Sequence, residues 1–208
     1  NRKVRMKEDI ISFLKTDHSG DGVVLFCPLE SILKGDITMD KTKKLVLAAL
    51  FTALSIVLLY IPFLRFPLFA TAPFLEYDAM DVPILFGALM LDLRSGLIIT
   101  LLSCFIQGIT VSSSSGIYGI IMHFIATGAF VIGTRLVYGK GKEKTTGRLI
   151  ASLVTGALCM TLIMIPANLI ITPIFMGVTS EVVATMLVPV FIPFNALKSG
   201  INAFVTFL

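Results

Sequence analysis

The segment "PFNALKSGIN", residues 193 to 202, sets a lysine and two asparagines into an otherwise apolar stretch. On an α-helix Asn195, Lys198 and Asn202 follow one another at i, i+3 and i+7, so they project from one face as a polar stripe. A lysine near the middle of a membrane helix costs roughly 2.5 to 3.5 kcal/mol, and such residues usually face a cavity or a partner. Snorkelling toward the headgroups is the structural alternative. A third amide, Asn168, follows Pro166, whose missing N–H and ring bulk free a carbonyl and can bend a helix. Three amide or ammonium side chains at one level favour a ligand pocket over coincidence. The asparagines can equally serve as interhelical glue.

A second polar group lies in "FLEYDAMDVP", which holds Glu76, Tyr77, Asp78 and Asp81. Asp81, ahead of Val82-Pro83, reads as the N-cap of a helix. Glu76 and Asp78 are acceptors beside a ligand, or simply solvated carboxylates. Tyr77 between them offers an aromatic face or a hydroxyl.

These residues need a scaffold, and composition says which. The 208-residue chain is 56% hydrophobic and 14% charged, with a mean hydropathy of +0.93. Soluble domains are far more charged, so the expected class is an all-α integral membrane protein. A helix needs about 20 apolar residues to cross the bilayer, and six candidate spans follow residue 43. They run approximately over 43–62, 80–93, 95–111, 117–138, 148–173 and 189–208, the second and third being short.

Basic residues orient the bundle. Lys41, Lys43 and Lys44 precede the first span, Arg94 lies between the second and third, and Lys140, Lys142, Lys144 and Arg148 lie between the fourth and fifth. The positive-inside rule puts them, and both termini, on the cytoplasmic side of a cell membrane. The loop from Phe63 to Asp81, the run "SSSSG" and the segment from Gly177 to Glu181 then face outward. With entry near Pro189, Asn195 and Lys198 lie about 9 to 14 Å along the last span, in its outer half. Residues 1–38 read as a poorly ordered lead-in, and Met39 reads as a natural start for the domain 39–208. A genuine cytoplasmic extension is the alternative.

Other classes find little support. Cys27, Cys104 and Cys159 make no C-x-x-C pair, so no disulfide framework or metal site is indicated. His123 stands without an H-E-x-x-H context or a nearby acid and reads as a packing residue. Gly133 to Lys140 lacks the spacing of a phosphate loop, and "SSSSG" is no nucleophile elbow. The net charge of +4 suits cytoplasmic loops against anionic lipid rather than nucleic acid. No catalytic constellation is present, and no enzyme is expected. In the first span Ala49 and Ala53 are four apart, which lets another helix approach closely, either within the bundle or from a partner.

Taken together, "FLEYDAMDVPILFGALM", "PANLIITPIFMGV" and "IPFNALKSGIN" resemble the substrate-binding S components of energy-coupling factor (ECF) vitamin transporters, most of all the riboflavin-specific ones. The resemblance, running from about Met39 to the C-terminus, implies a six-transmembrane-helix bundle of the ECF S-component type. It implies a flavin cavity open to the outside, with Asn168, Asn195 and Lys198 on the ring and Glu76 or Asp78 accepting from ribityl hydroxyls. It also implies that Ala49 and Ala53 dock a transmembrane coupling protein, while two separate ATP-binding cassette ATPases supply the energy. Riboflavin would be cargo, with no cofactor. An S component for another vitamin, or a membrane structural or sensory protein, are the competing readings.

Overall fold

The computed structural model describes residues 40–69, 72, 75–139 and 145–208, without the side chain of Ser114. The expected lead-in at 1–38, Met39, Cys27 and the lysines at 140, 142 and 144 lie outside them. The first helix, α1 (Lys41–Leu59), is followed by a 3-10 turn and by two short strands, β1 (Arg65–Pro67) and β2 (Glu76–Asp78). Then come α2 (Asp81–Met90), α3 (Leu93–Ile109), α4 (Gly116–Tyr138) and α5 (Thr146–Met176). Finally α6 (Ser180–Met186) continues through a π segment, Leu187–Phe191, into α7 (Ile192–Phe207).

Among the described residues four stretches are long and apolar enough to cross a membrane: α1, α4, α5 and the run Ser180–Phe207. α2 and α3 are shorter, at 10 and 17 residues, or about 15 and 25 Å. α2 can be short because protein surrounds it. Ile84, Leu85 and Ala88 are fully buried, and they join Leu59, Ile99, Phe130 and Met160 in the main core. The outward surface carries Leu45, Val57, Leu101, Phe105, Leu162 and Phe204, the apolar band that hydrocarbon requires. The chain is therefore a multi-pass membrane protein.

Two departures from the sequence reading have local causes. The last helical run begins at Ser180, not near Pro189. Pro189 falls inside the π segment, where a widened turn accommodates a residue that cannot donate. The all-α expectation also missed the antiparallel pair β1–β2, in register Arg65↔Asp78, Phe66↔Tyr77 and Pro67↔Glu76. Phe66 and Tyr77, directly opposite, meet in a tilted contact at 5.3 Å between ring centroids, and on the other face Arg65 forms an ion pair with Glu76. α5 passes through both Pro166 and Pro173 as one helix, and ends on Gly177 at φ 66°, where the Val178 N–H closes back onto the Pro173 carbonyl.

Close backbone approach fixes α4 against α5. A Cβ on Gly156 would stand 2.2 Å from Thr134 Oγ1, and one on Gly133 would stand 2.9 Å from the Gly156 Cα. At one end of the bundle the basic residues tie elements together. Arg135 donates to the Leu89 carbonyl, Arg148 donates to the Val137 carbonyl, and Lys44 pairs with Asp92. Asp92 is the N-cap of α3 and accepts from the Ser95 N–H at 2.7 Å. Burial alone would raise its carboxyl, but the bonds from Lys44 and Ser95 prevail and hold it at about 2.

Asp92 therefore separates cap from ion pair. Asp92→Ala is expected to lower stability in detergent by about 1 to 2 kcal/mol. Asp92→Asn keeps the cap and loses less than about 1 kcal/mol, the pair being partly solvated. The carboxylate contribution is present above its ordinary range and lost as pH falls through about 2. Melts of wild type and Asp92→Asn should therefore converge on acidification.

Candidate functional site

α7 presents Phe194, Asn195, Lys198, Ser199, Asn202 and Thr206 to the interior, the spacing of a single helical face. The sequence stripe is thus an inward one. Lys198 is 6% exposed, and its Nζ donates to Asp78 Oδ2 at 3.0 Å and lies 3.8 Å from Asp81 Oδ2. Snorkelling is excluded by this geometry, because the ammonium is neutralised where it sits.

Asp81 does not cap α2. Its carboxylate is fully buried, and four side chains from two helices converge on it. Thr127 Oγ1 donates to Oδ1 at 2.7 Å, and His123 Nε2 lies 3.1 Å from the same oxygen. Asn202 Nδ2 donates to Oδ2 at 3.0 Å, with Lys198 beyond. A carboxylate can only accept, so His123 presents an N–H here. The reading of His123 as remote from any acid is corrected: its acid lies 42 residues upstream on α2. The physical reason is the buried ammonium, whose need for a counter-charge outweighs a helix cap.

Tyr77 turns away from Glu76 and Asp78, as period-2 alternation requires. Its hydroxyl donates to Asn202 Oδ1 at 2.9 Å. Burial, then the carboxylates of Asp78 and Asp81, push the phenol up, so it remains a donor. Asn202 thereby joins β2 to α2.

Above this cluster lies a cavity of about 350 Å³, inside the roughly 300 to 1,000 Å³ of small-molecule sites. Of the expected residues, Glu76, Asp78, Asn168, Asn195 and Lys198 line it. Tyr77 does not. The apolar walls are Met122, Met160 and Met164 with Phe175, Phe194 and Leu75. Each asparagine amide is oriented by its own helix. Asn168 Nδ2 donates to the Met164 carbonyl at 2.7 Å, and Asn195 Nδ2 donates to the Phe191 carbonyl at 2.8 Å. A second N–H remains on each. The lining residues that the sequence reading passed over are Arg65, Cys104, Gln107 and His123. The available signal was a glutamine in an apolar helix.

Asp78, Asp81 and His123 could bring ligand atoms to a metal ion within 4.8 Å of one another. The Lys198 ammonium already supplies the positive charge among them. Ala49 and Ala53 lie far from the cavity in character: both are exposed, while Thr52, Ser55 and Leu59 form the buried face of α1.

The family model for the substrate-specific component of ECF transporters matches residues 43–208. The chain belongs to that family. Among similar proteins is the riboflavin transporter RibU of Streptococcus thermophilus, 32% identical over 133 residues, 64% of this chain and 61% of that one. RibU of Lactococcus lactis subsp. cremoris is 29% identical over 191 residues, covering 80% of this chain and 91% of the relative. The riboflavin transporter FmnP of Bacillus subtilis is 27% identical over 166 residues, or 76% of this chain and 85% of that protein. A solved S component of a bacterial ECF transporter superposes with a TM-score of 0.68 at 24% identity, covering 80% of this chain and 92% of the other. That likeness establishes the fold.

Removing one partner from a buried ion pair costs about 3 to 5 kcal/mol. Lys198→Met is accordingly expected to destabilise this S component strongly, by stranding two carboxylates. Lys198→Met combined with Asp78→Asn should recover part of that loss. Thermal melts of the single and double variants measure the coupling, and additive losses would show that the two groups do not act as a pair.

Proposed function

We propose that this chain captures riboflavin at the outer face of a bacterial cell membrane and serves as the S component of an ECF transporter for its uptake. The observation that carries the reading is the cavity in which Asn168, Asn195 and Lys198 meet beneath Glu76 and Asp78. The names of the relatives, riboflavin transporters across three genera, support the same cargo. On this reading the spare amide N–H groups and the ammonium meet the carbonyls and ring nitrogens of the isoalloxazine edge. Phe175 and Phe194 with the methionines flank the tricyclic ring. Glu76 and Asp78 accept from ribityl hydroxyls. Tyr77 acts one step removed, by holding Asn202 and hence Asp81.

The proposed topology has six crossings and both termini in the cytoplasm. α2 and α3 complete the count, since the turn between them carries Asp92, joined to Lys44 at the start of α1. Riboflavin is cargo, not a resident cofactor, and this chain performs no covalent chemistry. Energy comes from two ATP-binding cassette ATPases through a transmembrane coupling protein. The exposed Ala49 and Ala53 on α1 are the proposed docking face, where small side chains permit close helix approach. The loaded component then topples within the lipid to release the vitamin inside.

Purified protein should quench riboflavin fluorescence on titration, and Asn195→Ala should weaken binding about 5- to 10-fold, as for one lost neutral hydrogen bond. Absence of quenching by wild type would reject the cargo. Replacing Ala49 and Ala53 by tryptophan should abolish uptake by cells while leaving the affinity of the purified protein within about twofold of wild type. Unimpaired uptake would move the docking face elsewhere.

A further inference from the structure

Hydrogen-bonding groups divide between the walls of the cavity. The donors Asn168, Asn195 and Lys198 stand on α5 and α7. β2 and α3 bring acceptor oxygens to the same cavity, those of Glu76, Asp78 and Gln107, with Asp78 already bonded to Lys198. Gln107 is 8% exposed, lines the cavity, and its Oε1 has no partner among the described residues. A buried acceptor left in that state costs the folded protein stability, so its retention calls for a donor from elsewhere.

Its backbone is firmly held. The Gln107 carbonyl accepts from the Ser112 N–H at 3.0 Å and from the Thr110 N–H at 3.3 Å, which close the end of α3. Arg65 donates to the Val111 carbonyl, next in that turn, and pairs with Glu76. Gln107 thus belongs to the wall built by the β1–β2 hairpin and the α3 terminus, on a different element from the α5 and α7 donors. In a flavin the ring edge is rich in acceptors, whereas the sugar-alcohol chain carries several hydroxyl donors.

We infer that Gln107 is a substrate-contacting specificity residue, whose side-chain oxygen accepts a hydrogen bond from a hydroxyl of the polyol chain. This rests on the proposal that riboflavin is the cargo. The residue selects for a ligand that carries a donor at this wall, and against a bare flavin ring.

Gln107→Met, similar in length but without the acceptor, separates a binding role from a structural one. The apo variant should melt at the wild-type temperature or above it, because an unpaired buried oxygen has gone. Its riboflavin Kd should rise about tenfold, as expected when a buried ligand donor is stranded. Lumiflavin, the same ring with a methyl group in place of the polyol chain, should lose less than about twofold in the same variant. An unchanged riboflavin Kd overturns the assignment, and so does an equal loss for both flavins. Gln107→Leu serves as the second variant, and a fall in apo stability in both would make the amide structural. If wild-type protein binds neither flavin, the cargo itself is wrong, a result distinct from any of these.

Discussion

An ammonium carried into the interior of a membrane bundle must be neutralised at its own depth, and that constraint organises this molecule. Lys198 on α7 meets Asp78 from β2 and Asp81 from α2, while Asp81 is itself held by His123 and Thr127 of α4 and by Asn202. One charge therefore fixes the mutual placement of three helices and a strand. It draws β2 onto the middle of α7, and it gives the N-terminus of the short, buried α2 a firm anchor. Breaking such a network costs more than any single apolar contact in the core.

The same network sets the floor of the cavity. Because Asp81 and Asn202 satisfy one another and Tyr77, neither is left for a ligand, whereas Asp78 keeps its Oδ1 without a partner among the described residues. The polar groups of the floor, Asp81, Asn202 and Tyr77, are paired among themselves, whereas Asp78 Oδ1 and Gln107 Oε1, on cavity-lining residues, have no partner among the described residues. That contrast separates structure from recognition more clearly than residue type does, since both layers contain asparagines and carboxylates. Retaining unpaired acceptors lowers stability, a recurrent feature of sites shaped for binding.

The inward stripe on α7 was legible in the sequence because helical period converts spacing directly into a face. The long spans were legible because hydropathy is a local signal. Asp81 was misread because Asp before Val-Pro satisfies a local capping rule, while the groups that claim it lie on α4 and α7, 42 to 121 residues away. His123 was misread by the same route. Asn202, for which interhelical glue was one reading, does tie elements together, bonding Tyr77 of β2 and Asp81 of α2. The β1–β2 pair was missed because three-residue strands carry almost no periodicity. The early start at Ser180 was missed because Pro189 was taken as a boundary, whereas a π turn absorbs it.

The account makes a saturated charge network the rigid base of a cavity that receives its ligand from above. A structure of the protein with bound riboflavin tests this most directly. The account predicts Lys198 still joined to Asp78 and Asp81, Asn202 still between Tyr77 and Asp81, and the flavin seated between the α5–α7 donors and the wall at Glu76 and Gln107. A flavin that displaces Asp81 from Lys198, or that lies outside this cavity, would contradict it.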